Sequence, residues 1–156
     1  GEQKRVFSMI PALRNAEFVR YGVMHRNTFL DSPRLLDATY ALKSDPRIRF
    51  AGQMTGVEGY VESTASGWVA GVATAMDVLG KPMPVPGTPI PTPDRLTATG
   101  ALATYISDHT VAKFQPMNVN FGIIEPLGYK IKGKREKNTK ISERALEQIE
   151  KLKGEL

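Results

Sequence analysis

With 156 residues, 41% of them hydrophobic and 24% charged, the chain has the makings of one globular domain, which excludes wholesale disorder. It carries no cysteine, so disulfides, thiolate metal sites and a cysteine nucleophile are excluded within it. The net charge of +5 is local: Lys130 to Arg144 holds seven basic side chains against two acidic ones, and the rest of the chain is neutral.

In chain order, Glu2 to Ile10 predicts a short helix that Pro11 stops. Glu17 to Phe29 mixes β-branched and aromatic residues with polar ones and predicts one or two strands. Turns are expected at Ser32-Pro33 and at Ser44-Asp45-Pro46, where proline presets φ, and a short strand from Ile48 to Ala51 stops at Gly52. From Gly59 to Leu79 the pattern is helical, with an apolar stripe at Val61, Ala65, Trp68, Val72, Met76 and Leu79. A second stripe of small residues, Ser63, Gly67 and Gly71, predicts close approach of another backbone. So little charge predicts burial against a sheet on more than one side.

Gly80 ends that helix, and six prolines between Lys81 and Asp94 make an extended crossing segment. Thr97 to Ser107 predicts a second, shorter helix, and Phe114 to Pro126 a compact aromatic loop or short strand. The last element, Lys134 to Leu152, is an amphipathic helix with Ile141, Ala145, Ile149 and Leu152 on one face.

The strongest chemical signal is Phe50 to Ser63, FAGQMTGVEGYVES. A strand runs through a glycine-bearing loop into the N-terminus of a long helix, where unpaired N–H groups attract an anion or a polarised carbonyl. Gly52, Gly56 and Gly59 let backbone approach a planar or phosphorylated ligand, although a tight strand-to-helix connection without a ligand gives the same pattern. His25, Arg26 and Asn27 form a polar cluster suited to a base, a pteridine or a carboxylate, or to a structural role. Asn118 and Asn120 line the same cleft or make Asn-mediated turns. The basic segment led by Lys130, Lys132, Lys134 and Arg135 is a solvated surface or an RNA contact. His109 stands alone, and no His, Asp and Glu set has metal-ligand spacing.

Three motifs carry a family resemblance. Phe50-Ala51-Gly52-Gln53, with Gly56, Gly59-Tyr60, Glu62-Ser63, Gly67 and Ala70-Gly71, resembles the C-terminal flavin motif of the GidA/TrmFO flavoproteins. Glu17 to Phe29 (EFVRYGVMHRNTF) and Phe114 to Gly122 (FQPMNVNFG) are similar to the TrmFO branch, the folate- and FAD-dependent tRNA (uracil-5-)-methyltransferases. The resemblance runs from about Glu2 to Leu152. Members are roughly three times as long, start with a G-x-G-x-x-G nucleotide fingerprint and use a cysteine nucleophile; this sequence has neither.

The resemblance therefore implies the C-terminal third of such an enzyme, inactive alone. The implied fold is α/β: part of a Rossmann-like FAD-binding domain with a long buried helix, a Pro-rich strap and C-terminal helices. Residues 1–80 would be the flavin- and substrate-facing part, 81–96 the crossing segment and 97–156 a helical part packed on the same domain. The implied cofactors are FAD and NAD(P)H, with methylenetetrahydrofolate as one-carbon donor to a T-loop uridine. Gly52, Gln53, Gly56, Gly59 and Tyr60 would meet the flavin; His25, Arg26, Asn27, Asn118 and Asn120 would meet folate or uridine.

The expected partners are tRNA, the rest of the parent enzyme and a second copy of the chain, with no membrane. The longest uncharged run before the proline-rich stretch is too short to span one, and no basic, apolar leader opens the chain, so a cytoplasmic location is expected. Two other readings stay open. One is the sister group that installs carboxymethylaminomethyl groups on wobble uridines; the other is a tRNA-binding module without chemistry.

Overall fold

The computed structural model describes residues 2–22, 27–81 and 95–153. It mixes helix and strand: α1 (Glu2–Phe7), α2 (Ser32–Leu35), β1 (Ala41–Leu42), β2 (Asp45–Arg49), α3 (Tyr60–Leu79), α4 (Ala98–Ser107) and α5 (Lys134–Lys153). β1 and β2 pair antiparallel with Ala41 opposite Arg49; the turn between them is Lys43-Ser44, so Asp45 and Pro46 of the predicted turn open β2 instead. Ser32-Pro33 opens α2, a single helical turn with proline in its first positions, where a missing N–H costs nothing.

The strands predicted between Glu17 and Phe29 are absent from the described part of that segment. Its aromatic residues are used differently. Phe18 packs 5.7 Å from Phe7 of α1 and stacks on Tyr21 at 5.4 Å. The Gln3 side chain takes both backbone groups of Gly22, donating to its carbonyl at 2.6 Å and accepting from its N–H at 3.1 Å. Backbone groups bonded to a side-chain amide are not available to a ladder.

The long helix falls where the pattern put it, Tyr60–Leu79, between Gly59 and a left-handed Gly80 at φ 62°. Its buried face is rotated from the predicted stripe, of which Ala65, Val72 and Met76 are half-buried. The buried residues are Ser66, Val69, Ala70 and Ala73, while Val61 is 80% exposed, Trp68 43% and Leu79 65%. Gly67 and Gly71 are exposed too, and a Cβ added at either meets nothing within 4 Å. So the described residues cover α3 on one side only, and Gly67 and Gly71 of the small stripe face open space, while the predicted proline-rich crossing segment lies outside the described residues. The inward face is itself small because α4 crosses it with Leu102, Ala103 and Ile106. At the far end Arg49 of β2 reaches Asp77 at 2.5 Å and Thr74 at 3.4 Å, tying hairpin to helix.

Leu36, Tyr40 and Val57 join Val69, Ala70 and the α4 residues in the main core. Thr97 is the N-cap of α4, its hydroxyl accepting from the Gly100 N–H at 3.1 Å. A smaller cluster, Ala101, Ile124 and Ile141, seats α5, whose Ile141 and Leu152 are buried on the predicted face. Among the described residues no helix is long and apolar enough to cross a membrane.

Candidate functional site

After β2 the chain turns through Gly52 at φ 70° into a 3-10 turn, Gly52–Thr55, and leaves it through Gly56 at φ 86°. This loop is fixed from beneath. The Gly52 N–H donates to the Ser66 hydroxyl at 2.7 Å, and that hydroxyl donates to the Ser63 carbonyl at 2.7 Å. Thr55, fully buried, donates to the Gly52 carbonyl at 2.7 Å. The loop is thereby locked to the first turns of α3 by hydroxyls that are themselves satisfied.

A second segment is hooked on from far along the chain. Met117 donates its N–H to the Gly56 carbonyl at 3.1 Å, and Glu58 donates to the Met117 carbonyl at 3.0 Å, a short parallel bridge. Asn118 follows, its amide donating to the Glu58 carbonyl at 3.1 Å. The result is an open groove of about 360 Å³ lined by Gln53, Glu58, Gly59, Tyr60, Ser63 and Asn118. It lies at the N-terminus of α3, whose cap position, Gly59, supplies no side chain to its leading N–H groups. Tyr60 stands 95% exposed, so among the described residues its ring has no core role.

Gln53, Gly59, Tyr60 and Asn118 are thus brought together, and Glu58 and Ser63 join them. Gly52 lies beneath, bonded to Ser66. Gly56 is elsewhere: it is buried, and a Cβ there would stand 2.3 Å from the Phe114 ring. Gly59 has φ 101°, and its Cβ would meet the Glu62 carboxylate at 2.1 Å and the Asn118 amide at 2.8 Å. Asn120 makes a turn, its side-chain oxygen accepting from the Gly122 N–H at 2.9 Å, and lines an apolar cavity with Phe121, Ile124 and Ile141 instead. His25 and Arg26 lie outside the described residues. Asn27 is half-buried, and three residues on the Leu30 N–H donates to the Met54 carbonyl at 2.8 Å, which ties that run to the loop.

The basic segment lies apart from the groove's lining. Lys130 and Lys132 are exposed on the loop before α5, and Lys134 and Arg135 are exposed in its first turn. Two other cations of that segment are engaged within the chain. Arg144 donates to the carbonyls of Glu125 and Pro126, fixing the base of the loop. Lys140 is held by Glu143 at 2.7 Å, and that hydrogen bond raises its pKa. Among the described residues no group of three or more His, Asp or Glu side chains is placed to hold a metal ion.

A family profile described as Glucose inhibited division protein A matches residues 1–82. The methylenetetrahydrofolate–tRNA-(uracil-5-)-methyltransferase TrmFO of Acetivibrio thermocellus is 61% identical over 145 residues, covering 93% of this chain and 32% of that protein. The proteins of the same name from Ligilactobacillus salivarius and Listeria monocytogenes are each 56% identical, covering 99% and 100% of this chain and 34% of each relative. The chain spans about a third of the length of these curated relatives.

Proposed function

The chain belongs to the glucose inhibited division protein A family, and from that premise we propose that it is the C-terminal third of a flavin- and folate-dependent tRNA (uracil-5-)-methyltransferase. The names of its relatives support the activity, and one structural observation supports the site: the groove at the head of α3. Leading N–H groups of a 20-residue helix, an uncapped glycine and the Gln53 and Asn118 amides form a donor-rich cradle that suits a flavin pyrimidine edge.

When bound, FAD supplies the relay that carries a one-carbon unit from methylenetetrahydrofolate to uracil carbon-5, with NAD(P)H as reductant. This chain's part is to bind and orient. Gln53, Gly59 and Tyr60 hold the ring, with Gly52 and Gly56 shaping the loop below. His25, Arg26, Asn27 and Asn118 belong to the folate or uridine side, while Asn120 serves as a turn. A thiolate for uracil carbon-6 has to come from outside these residues, which contain no cysteine. We therefore expect the chain to be inactive alone. Lys130, Lys132, Lys134 and Arg135 form its tRNA contact, and a tRNA substrate implies a cytoplasmic location. The Rossmann-like part of the proposal requires a parallel sheet contributed by the remainder of the protein.

The test is a chimera. Replacing the matched third of the Acetivibrio thermocellus relative with this chain is expected to give a yellow protein that forms 5-methyluridine in tRNA, read by absorbance and mass spectrometry. Gly59→Ala in that chimera is expected to cut flavin retention about 5- to 150-fold, since its backbone angle strongly favours glycine and costs about 1–3 kcal/mol otherwise. A soluble chimera without flavin or product would sink the proposal, and a carboxymethylaminomethyl product would support the sister group.

The bare side of α3 supports the pairing with the rest of the parent. Val61, Trp68, Val78 and Leu79 are all exposed there, beside glycines that leave room for close approach. Without its parent, the isolated chain is expected to self-associate through this face. In sedimentation, Gly71→Lys should return it to monomer; a wild-type chain that sediments as a clean monomer rules the idea out.

A further inference from the structure

The loop before α5 carries an exposed aromatic side chain that neither the core nor the groove uses. Gly128 and Gly133, at φ 75° and 109°, bracket Tyr129, Lys130, Ile131 and Lys132. The base of the loop is fixed: Ile124 is buried beside Ile141, Leu127 packs on the same cluster, and Arg144 holds the carbonyls of Glu125 and Pro126. The tip is not. Tyr129 is 63% exposed, whereas Tyr105 is held by a hydrogen bond to the Gln115 carbonyl at 2.8 Å and Tyr21 stacks on Phe18.

The segment that carries that ring is rich in cations and has few acidic residues. Lys130, Lys132, Lys134, Arg135 and Lys137 are all exposed, and of the two carboxylates in the segment Glu143 is taken by Lys140. Three of these cations sit in the first turn of α5, where the helix dipole disfavours positive charge. Such placement works against folding and in favour of an anionic partner. An anionic partner explains the lysines but not the tyrosine. A ring standing in water on a fixed base, flanked by cations, matches the arrangement by which proteins hold single-stranded nucleic acid, with charge on the backbone and a flat side chain on a base.

We infer that the Gly128–Gly133 loop binds single-stranded RNA, Tyr129 stacking on one unpaired base while Lys130 and Lys132 neutralise the flanking phosphates. The inference rests on the proposed tRNA contact and adds what that contact reads: an unstacked nucleotide rather than duplex backbone. The contact is tolerant of base identity, because every base offers a π-face.

The test uses the 156-residue chain, with a fluorescent oligouridine and an RNA duplex as probes, in anisotropy titrations at two salt concentrations. Tyr129→Ala is expected to weaken single-strand binding about 5- to 100-fold, leaving duplex affinity and the salt slope unchanged. Tyr129→Trp is expected to keep the affinity and to show indole quenching by the single strand beyond any Trp68 background. Lys130→Ala with Lys132→Ala is expected to reduce the log–log salt slope by about 1.4. Unchanged single-strand affinity in Tyr129→Ala, with salt-sensitive binding intact, overturns the stacking site and leaves the lysine contact standing. An equal loss on duplex and single strand also overturns it. No salt-sensitive RNA binding by the wild-type chain overturns both.

Discussion

Gly56→Ala is expected to destabilise the chain by about 2–6 kcal/mol, more than Gly52→Ala. Two costs add. The backbone at φ 86° penalises any Cβ by about 1–3 kcal/mol, and the new methyl would stand 2.3 Å from the Phe114 ring, which is overpacking worth about 1–3 kcal/mol more. Phe114 has little room to retreat, since it lies 5.5 Å from Tyr105 and 6.0 Å from Phe29, centroid to centroid. Gly52→Ala is the control: the angle is similarly left-handed, but its nearest neighbour is Ser63 at 3.6 Å, so only strain of about 1–2 kcal/mol applies. Urea unfolding of both variants separates the terms. A Gly56→Ala midpoint no lower than that of Gly52→Ala would mean that Phe114 yields freely.

Tyr40→Ala is expected to cost about 3–5 kcal/mol, the usual loss for truncating a buried aromatic side chain. Tyr40 is 1% exposed in the main core and holds a left-handed backbone at φ 64°, uncommon for a bulky residue. The surrounding turn enforces that angle. Asp37 accepts from the N–H of Thr39, the hydroxyl of Thr39 and the N–H of Ala41, and the Tyr40 carbonyl accepts from Phe50 at 3.1 Å. At about 2–4 °C per kcal/mol, the melting temperature should fall by roughly 10 °C.

The same residue gives the chain an alkaline limit. Burial pushes the Tyr40 phenol well above its ordinary value of 10.0. The folded state therefore keeps its proton where the unfolded chain releases it. The stabilising difference is whole below about pH 10 and shrinks by about 1.4 kcal/mol per unit as pH rises above it. Tyr40→Phe removes this dependence. Wild-type and Tyr40→Phe stabilities that fall in parallel above pH 10 would show that the phenol ionises equally in both states.

Much of the chain was legible from local rules. Gly59 and Gly80 bracket α3, Thr97 caps α4, and the Ile141, Ala145, Ile149 and Leu152 stripe seats α5, each within a residue or two of its predicted place. The strand–glycine–helix sequence located the head of α3, and Gln53, Gly59 and Tyr60 do meet there. These features depend on neighbours within one or two turns, which a single stretch of sequence contains.

What the sequence did not contain were the contacts between distant stretches. α3 carries an apolar stripe and a small stripe, so its periodicity fits two orientations. The crossing of α4 selected Val69, Ala70 and Ala73 for the interior and left Trp68 outside. Gly56 read as a ligand glycine, yet the ring that fills its space belongs to Phe114, far along the chain. Arg144 read as one more cation in a basic run, and a loop eighteen residues earlier uses it as a tether. Glu17 to Gly22 has strand-like composition, but the Gln3 side chain and Phe7 were close enough to claim its backbone and its rings. Propensity and capping fixed where helices begin and end in this protein; which face is buried, which glycine is crowded and which arginine is free were decided by tertiary packing, because a buried surface is defined by the partner that covers it.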